Sequence, residues 1–449
     1  MKRLQKYLPL ISIFFLALFI RLLYNLTVAR DYFAKYDAAL YNHIAYYIAN
    51  YHCFCEYPNH PSISRPPLWP YILSIFYFLP PQANPQQLDT GVQVFYGRLF
   101  LCLIGSFTCV LVYLLARDLF GKRIALITGS IAAVYTGLFI YDGWLYTESL
   151  YTFSLTAFVY SLYRLQRTAQ RRWIVLSGLF LGFATLARSN GPILFAMLFL
   201  WAIAIILAKV LPWLTVVKSI LVITIIAAIV ITPWTYRNYL VSHSFVLVSL
   251  GEGDVLLGAY NDNVLRGTSG IWTSPRYITP RPDLPQVVLE GKDTAQYTPE
   301  DDKIATNYTL HWIEMHWRDM PRLLTYHLVG MWTYTTENNL PFIEFPGQLS
   351  SQVVGYMTLL MPIPIFLLAI FGLLVTWQHR KQQLLIVYSA IALTIVQNLI
   401  FYGVMRFRAP IEPLLVLLTG GALWWLTCEE PGTLRYRRKH ISSHGDSLA

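Results

Sequence analysis

LPLISIFFLALFIRLLYNLTVA, residues 8–29, decides the class of this chain. A bilayer core roughly 30 Å thick takes about 20 helical residues to cross, and this stretch is that long. Lys2, Arg3 and Lys6 precede it. A cleaved signal peptide would have a shorter apolar core and a small-residue cleavage site. The stretch therefore reads as an uncleaved anchor with its N-terminus inside.

The same pattern returns along the 449 residues at 98–116, 124–141, 149–163, 174–187, 191–208, 215–233, 355–376, 384–402 and 409–427. With the first, that makes about ten transmembrane helices and predicts an all-α polytopic membrane protein. PPLWPYILSIFYFL, residues 66–79, is too short for a span and suits an interfacial or re-entrant segment. Composition agrees: 55% of residues are hydrophobic and 13% charged, against roughly 25% charged in soluble proteins. A disordered chain, a coiled coil and a disulfide-rich secreted scaffold are excluded.

Net charge is +10, from 34 basic and 24 acidic residues. Nucleic acid is not the partner this implies. Lysine and arginine gather in short segments after alternate spans: Arg117, Lys122 and Arg123; Arg164, Arg167, Arg171 and Arg172; Lys209 and Lys218; Arg380 and Lys381; and Arg435, Arg437, Arg438 and Lys439. The positive-inside rule puts all of these in the cytoplasm, which ten spans with both termini inside satisfy. A crossing at 66–79 would turn two of the clusters outward.

This topology leaves two substantial outer segments, Arg30–Phe95 and residues 237–354. The first holds KYDAALYNHIAYYIAN, residues 35–50, with an amphipathic helix at 38–50. Tyr46, Tyr47 and Tyr51 suit the headgroup region. The second contains TSPRYITPRPDLP, which reads as loop, and helices near 301–318 and 319–335. Cys53 and Cys55 lie in the first outer segment. As zinc ligands or a disulfide they are tightly spaced, so inert thiols are expected. Cys102, Cys109 and Cys428 lie in or beside apolar segments.

Several polar residues need explaining. Asp37 stands just before the amphipathic helix, as an N-cap or as a general base held at the membrane face. Arg65 precedes the Pro66–Pro67 pair. Asp142 and Glu148 lie in YDGWLYTESL, a short outer turn, and Glu148 also favours a helix dipole. Arg188 lies in the outer turn LARSNGP. Arg237 in TPWTYRN, and Arg406 and Arg408 in YGVMRFRAPIEP, place basic groups outside, against the rule. Lipid headgroups would account for them, and so would an anionic lipid-linked ligand, since guanidinium forks suit phosphate. Arg21 is the clearest charge within a span, close enough to an end to snorkel.

Taken in order, an Asp in the first outer loop, RPPLWP, ARDLFGKR, YTESL, TPWTYRN and RFRAPIEPLL resemble the GT-C membrane glycosyltransferases. The nearest branch is family 39, with the protein O-mannosyltransferases and the related bacterial aminoarabinose transferases. The resemblance covers about residues 1–240 and the last span. It divides the chain into a transmembrane module 1–236 with outer loop 30–95, an extracytoplasmic region 237–354, C-terminal helices 355–428 and a cytoplasmic tail 429–449. It implies a polyprenyl-phosphate-linked sugar donor and an inverting transfer to a hydroxyl acceptor on the outer face of the plasma membrane, without a nucleotide-sugar site; no cofactor and no metal ligand is assigned from the residues. The family's catalytic Asp falls on Asp37, its acidic residue on Glu148 and its basic residue on Arg65. Arg237, Arg406 and Arg408 join these as candidate donor-phosphate contacts. Ala38 and Ser64 stand where relatives carry acids. A lipid-linked glycan flippase or transporter, and a surface-glycan polymerase or ligase, share the span count.

Overall fold

A computed structural model describes residues 2–80, 84–267, 271–275, 278, 297–333 and 349–427. The tail 429–449, Cys428 and most of TSPRYITPRPDLP lie outside these residues. The chain is almost wholly helical. Its first helix, α1 (Lys2–Thr27), leads through an extended segment to α2 (Asp37–Tyr51), a minimal hairpin of β1 (Cys55–Tyr57) and β2 (His60–Pro61), and α3 (Leu68–Ser74). There follow α4 (Val92–Phe120), α5 (Lys122–Val134), α6 (Thr136–Phe139), α7 (Glu148–Thr168), α8 (Arg171–Ala187), α9 (Ile193–Leu207) and α10 (Trp213–Ser242). The remainder comprises α11 (Glu252–Ala259), α12 (Asp262–Leu265), α13 (Pro299–Met315), α14 (Met320–Trp332), α15 (Leu349–Leu360), α16 (Pro362–Ile400), α17 (Met405–Arg408) and α18 (Glu412–Thr427).

By length and composition, five described helical stretches suffice to cross a membrane, and a sixth if α5 and the bent Thr136–Gly143 segment count as one. This does not reproduce ten. α8 and α9 have only 17 and 15 residues, and the predicted spans 355–376 and 384–402 lie largely in one helical run. That run nevertheless reverses direction. Tyr388 Oη donates to Thr376 Oγ1 at 2.8 Å, and the rings of Trp377 and Tyr388 are 5.4 Å apart. Twelve residues of straight helix would separate such groups by about 18 Å. The chain therefore folds back near Arg380–Gln383.

Burial separates core helices from lipid-facing ones. In the most apolar window of the Met405–Thr427 stretch, 83% of residues are buried, against 22% in α1 and 28% in α10. α7 is also buried along most of its length despite its many Ser, Thr and Tyr residues. α7 and α18 thus form the centre of the bundle. Small residues allow the close approach: a Cβ at Gly372 would collide with the backbone of Leu418 in α18.

One end of the bundle is basic. Arg164 at the end of α7 pairs with Asp118 at 2.6 Å, and Gln166 donates to the carbonyls of Gln382 and Gln383 at the fold-back. The opposite end carries α2, α3 and the α11–α14 group. There the capping box of Thr298 and Asp301 starts α13, and Asp302 accepts from the Gly251 and Gly253 N–H groups at the start of α11. Tyr260 Oη donates to the Ile400 carbonyl at 2.6 Å, which moors this group to the bundle.

Three local expectations need correction. Arg21 does not snorkel. It is fully buried, 2.6 Å from Asp142, with the Ala17 and Leu138 carbonyls taking further N–H groups. A charge this deep persists because it is paired and hydrogen-bonded. Asp142 accordingly lies in the packed core rather than at a surface turn. Cys53 and Cys55 are not free thiols; they form a disulfide, with Cα atoms 5.2 Å apart, because the chain turns sharply as it leaves α2.

Candidate active site

α2 begins at Asp37 with a sharp backbone turn. Tyr36 has φ 51 and ψ −128, and the Ala38 N–H bonds the Lys35 carbonyl at 3.0 Å. For a bulky residue this conformation costs about 1–3 kcal/mol. Asp37 is the first residue of the helix, and no side chain caps it. The N-cap reading is therefore replaced. The carboxylate faces arginines instead.

Arg65 Nη1 lies 3.2 Å from Asp37 Oδ1, and Arg406 Nη1 donates to Oδ2 at 3.0 Å. Arg406 also donates through Nε to Glu148 Oε1, which accepts from Arg188 Nη1 at 2.7 Å. Its guanidinium stands 4.1 Å from the centre of the Tyr146 ring. Four distant stretches thus converge: the start of α2, the approach to α3, the YTESL turn at the start of α7, and α17. Arg188, at the end of α8, completes the group. Burial pushes the Asp37 carboxyl up, but Arg65 and then Arg406 outweigh it and hold it at about 2.

Arg65 is delivered by the hairpin that follows α2. Glu56 is buried there and accepts from the hydroxyls of Ser62, at 2.7 Å, and Ser64. A carboxylate therefore does stand beside Arg65, although Ser64 occupies the preceding position. Among the described residues, Arg65 Nε and Glu148 Oε2 are buried atoms with no hydrogen-bond partner. Such atoms in a native fold call for an explanation such as a ligand or water. A small cavity of about 10 Å³, room for a single water, adjoins Glu148 and reaches Asp142 and Thr152. No three of His, Cys, Asp and Glu gather in a metal-holding group among the described residues.

The structure does not bring every candidate here. Arg237 donates to the carbonyls of Ser62 and Phe54 and lies 4.8 Å from the Trp234 ring centre. It ties the hairpin to α10. Arg408 is 1% exposed, donates to Glu412 at 2.6 Å and to the Met331 carbonyl at 2.7 Å, and so joins α18 to α14. Sequence reading left Arg188 out of the site, although it showed the same anomaly as Arg406, a basic group in a short outer turn. Tyr146 gave no signal beyond its place in YTESL.

Comparison with known proteins follows this geometry. Residues 64–236 match the family described as dolichyl-phosphate-mannose-protein mannosyltransferase. That stretch includes Arg65, Glu148 and Arg188, and lies between Asp37 and Arg406. A search of curated proteins finds no match. Among solved structures, the fold resembles the oligosaccharyltransferase AglB of Archaeoglobus fulgidus in complex with an inhibitory peptide and a dolichol-phosphate, at 15% identity and a TM-score of 0.55. That match covers 99% of this chain and 53% of AglB, so the chain spans about half the length of this relative. The apo form of the archaeal enzyme gives 14% identity, the same TM-score of 0.55, and coverage of 99% and 53%. ArnT of Cupriavidus metallidurans bound to undecaprenyl phosphate is similar at 12% identity over 93% of this chain and 77% of that one, with a TM-score of 0.43. The chain is thus a helical membrane protein with the fold of AglB, and its residues 64–236 resemble the mannosyltransferase family.

Proposed function

We propose that this protein is a membrane glycosyltransferase of family 39 type. It moves a hexosyl or pentosyl group from a polyprenyl-phosphate-linked donor to a hydroxyl acceptor, with inversion, on the outer face of the plasma membrane. The observation that carries the reading is Arg406, which bridges Asp37 and Glu148 while Arg65 grips Asp37 from the other side. With Glu56 beside Arg65, three guanidinium groups face three carboxylates, and a phosphodiester donor would be held by guanidinium N–H groups such as the unpartnered Arg65 Nε.

The chemistry divides among the residues. Asp37 accepts the acceptor hydroxyl's proton as its oxygen bonds to the sugar's anomeric carbon. The bond from that carbon to the phosphate oxygen breaks, and its electron pair leaves with the polyprenyl phosphate. Arg65, with its unpartnered Nε–H, and Arg406 stabilise the charge that grows there. Glu148 holds Arg406 and Arg188 in place. Asp37 is a weak base while both arginines face it. A donor phosphate that draws them off raises its proton affinity when the acceptor is present. AglB was captured with a dolichol-phosphate, and a lipid phosphate as ligand of this chain fits the reading.

Purification with native lipids, followed by mass spectrometry of what remains bound, tests it. A polyprenyl-phosphate sugar that the reconstituted protein consumes, releasing polyprenyl phosphate, is the expected result. Transbilayer movement of that lipid without loss of its sugar would favour a flippase instead.

A further inference from the structure

Tyr36 is the most exposed tyrosine among the described residues, 76% accessible, and it is the neighbour of Asp37. Its backbone, at φ 51 and ψ −128 with the Lys35–Ala38 turn bond closed, occupies the first central position of a type II′ turn. Glycine is the residue that takes this position without steric cost. A bulky aromatic held there, with its ring in the open, runs against both local preference and burial. Strain of this kind clusters where the side chain has a task.

The task follows from what lies next to it. Arg65 and Arg406 converge on the carboxylate one residue along. On the function proposed above, on which this inference rests, they hold the donor phosphate. The sugar's anomeric carbon is bonded directly to an oxygen of that phosphate, so its ring lies beside Asp37. One face of a pyranose or furanose ring presents C–H groups, which pack against an aromatic face. Tyrosine supplies such a face with few rotatable bonds to immobilise. We propose that Tyr36 is the platform on which the transferred sugar ring lies, and that the turn holds it in a strained conformation for that purpose. The ligand it selects is the sugar, not the lipid phosphate.

The test compares binding of two probes to protein in nanodiscs: bare undecaprenyl phosphate, and undecaprenyl phosphates bearing a hexose, a pentose or an aminosugar. Tyr36→Gly removes the ring and relaxes the turn, so folding is preserved and thermal stability is unchanged or higher. The expected result is that wild-type protein binds at least one sugar-bearing lipid more tightly than the bare one. Tyr36→Gly then weakens that lipid about fivefold, the size of one aromatic contact, and leaves the bare lipid unaffected. Tyr36→Trp retains the difference. Equal weakening of both probes, or of neither, overturns the platform and reduces Tyr36 to a headgroup anchor or a bystander. Equal wild-type affinity for bare and all sugar-bearing lipids also overturns it while sparing the phosphate site. Failure of the wild type to bind any of them overturns the parent function, and the platform with it.

Discussion

Asp37 combines two demands that pull in opposite directions. On the proposed function it must stay ionised beside a membrane, and it must take a proton. Arg65 and Arg406 meet the first by holding it at about 2. Because its native value lies below the ordinary carboxylate value of about 3.9, the pairing stabilises the fold above that pH. The contribution is lost as pH falls through about 2. Removing one arginine moves the carboxyl upward. The acid limb of the pH profile of kcat/KM, which reports the free enzyme, should therefore shift to higher pH in Arg65→Gln. An unshifted limb would show that Arg65 does not set the state of Asp37. Arg408 behaves differently, since its partner is the buried Glu412. Glu412→Leu alone leaves a buried guanidinium uncompensated and should cost about 3–5 kcal/mol of stability. Arg408→Met with Glu412→Leu should recover most of it. A thermal melt in detergent of the two variants, equally destabilised, would refute the pairing account.

At the scale of elements, the hairpin between α2 and α3 is the part that aims the site. Its disulfide, Glu56 with its two serines, and Arg237 from α10 all hold the segment that ends in Arg65. Arg237 thus works by position. Arg237→Lys retains charge but cannot serve both carbonyls with a planar fork. It should lower the melting temperature and reduce turnover without abolishing binding of bare polyprenyl phosphate. Complete loss of that binding, with stability unchanged, would return Arg237 to the phosphate. The sequence foresaw α2, the short α3, and helices close to α13 and α14, because each carries periodic apolar positions or capping residues. It did not show which arginines meet. Arg237, Arg406 and Arg408 share a sequence signature, a cation where the positive-inside rule expects none. What separates them is the partner that packing supplies: backbone carbonyls for Arg237, Glu412 for Arg408, Asp37 and Glu148 for Arg406.

For the whole molecule, hydropathy revealed the class and ordered most helices, yet it could not rank them by position. Lipid and protein interior are equally apolar solvents, so a run of Leu and Ile reads alike in α1 and α18. Only burial tells them apart. The reversal within α16 was legible as two apolar runs about the polar stretch Gln378–Gln383, whereas the bend at Tyr135 left no mark. Sidedness follows from charge, and it is testable. Lys303→Cys, near the site end, should react with an impermeant maleimide in intact cells. Gln170→Cys, at the basic end, should react only after permeabilisation. The reverse pattern would invert the topology and place the site in the cytoplasm.

The central claim is that Asp37 takes the acceptor's proton, and single-turnover kinetics of Asp37→Asn test it most directly. With the donor identified and bound, the rate of sugar transfer should fall by about 10²–10⁴-fold, while affinity for the donor stays within a fewfold of wild type. Asp37 caps no helix; a purely structural role would be its pairing with Arg65 and Arg406, and losing that alone would show as a lower melting temperature and altered donor affinity, not as a slowed transfer step with both retained. Transfer at a near wild-type rate by Asp37→Asn would contradict the account.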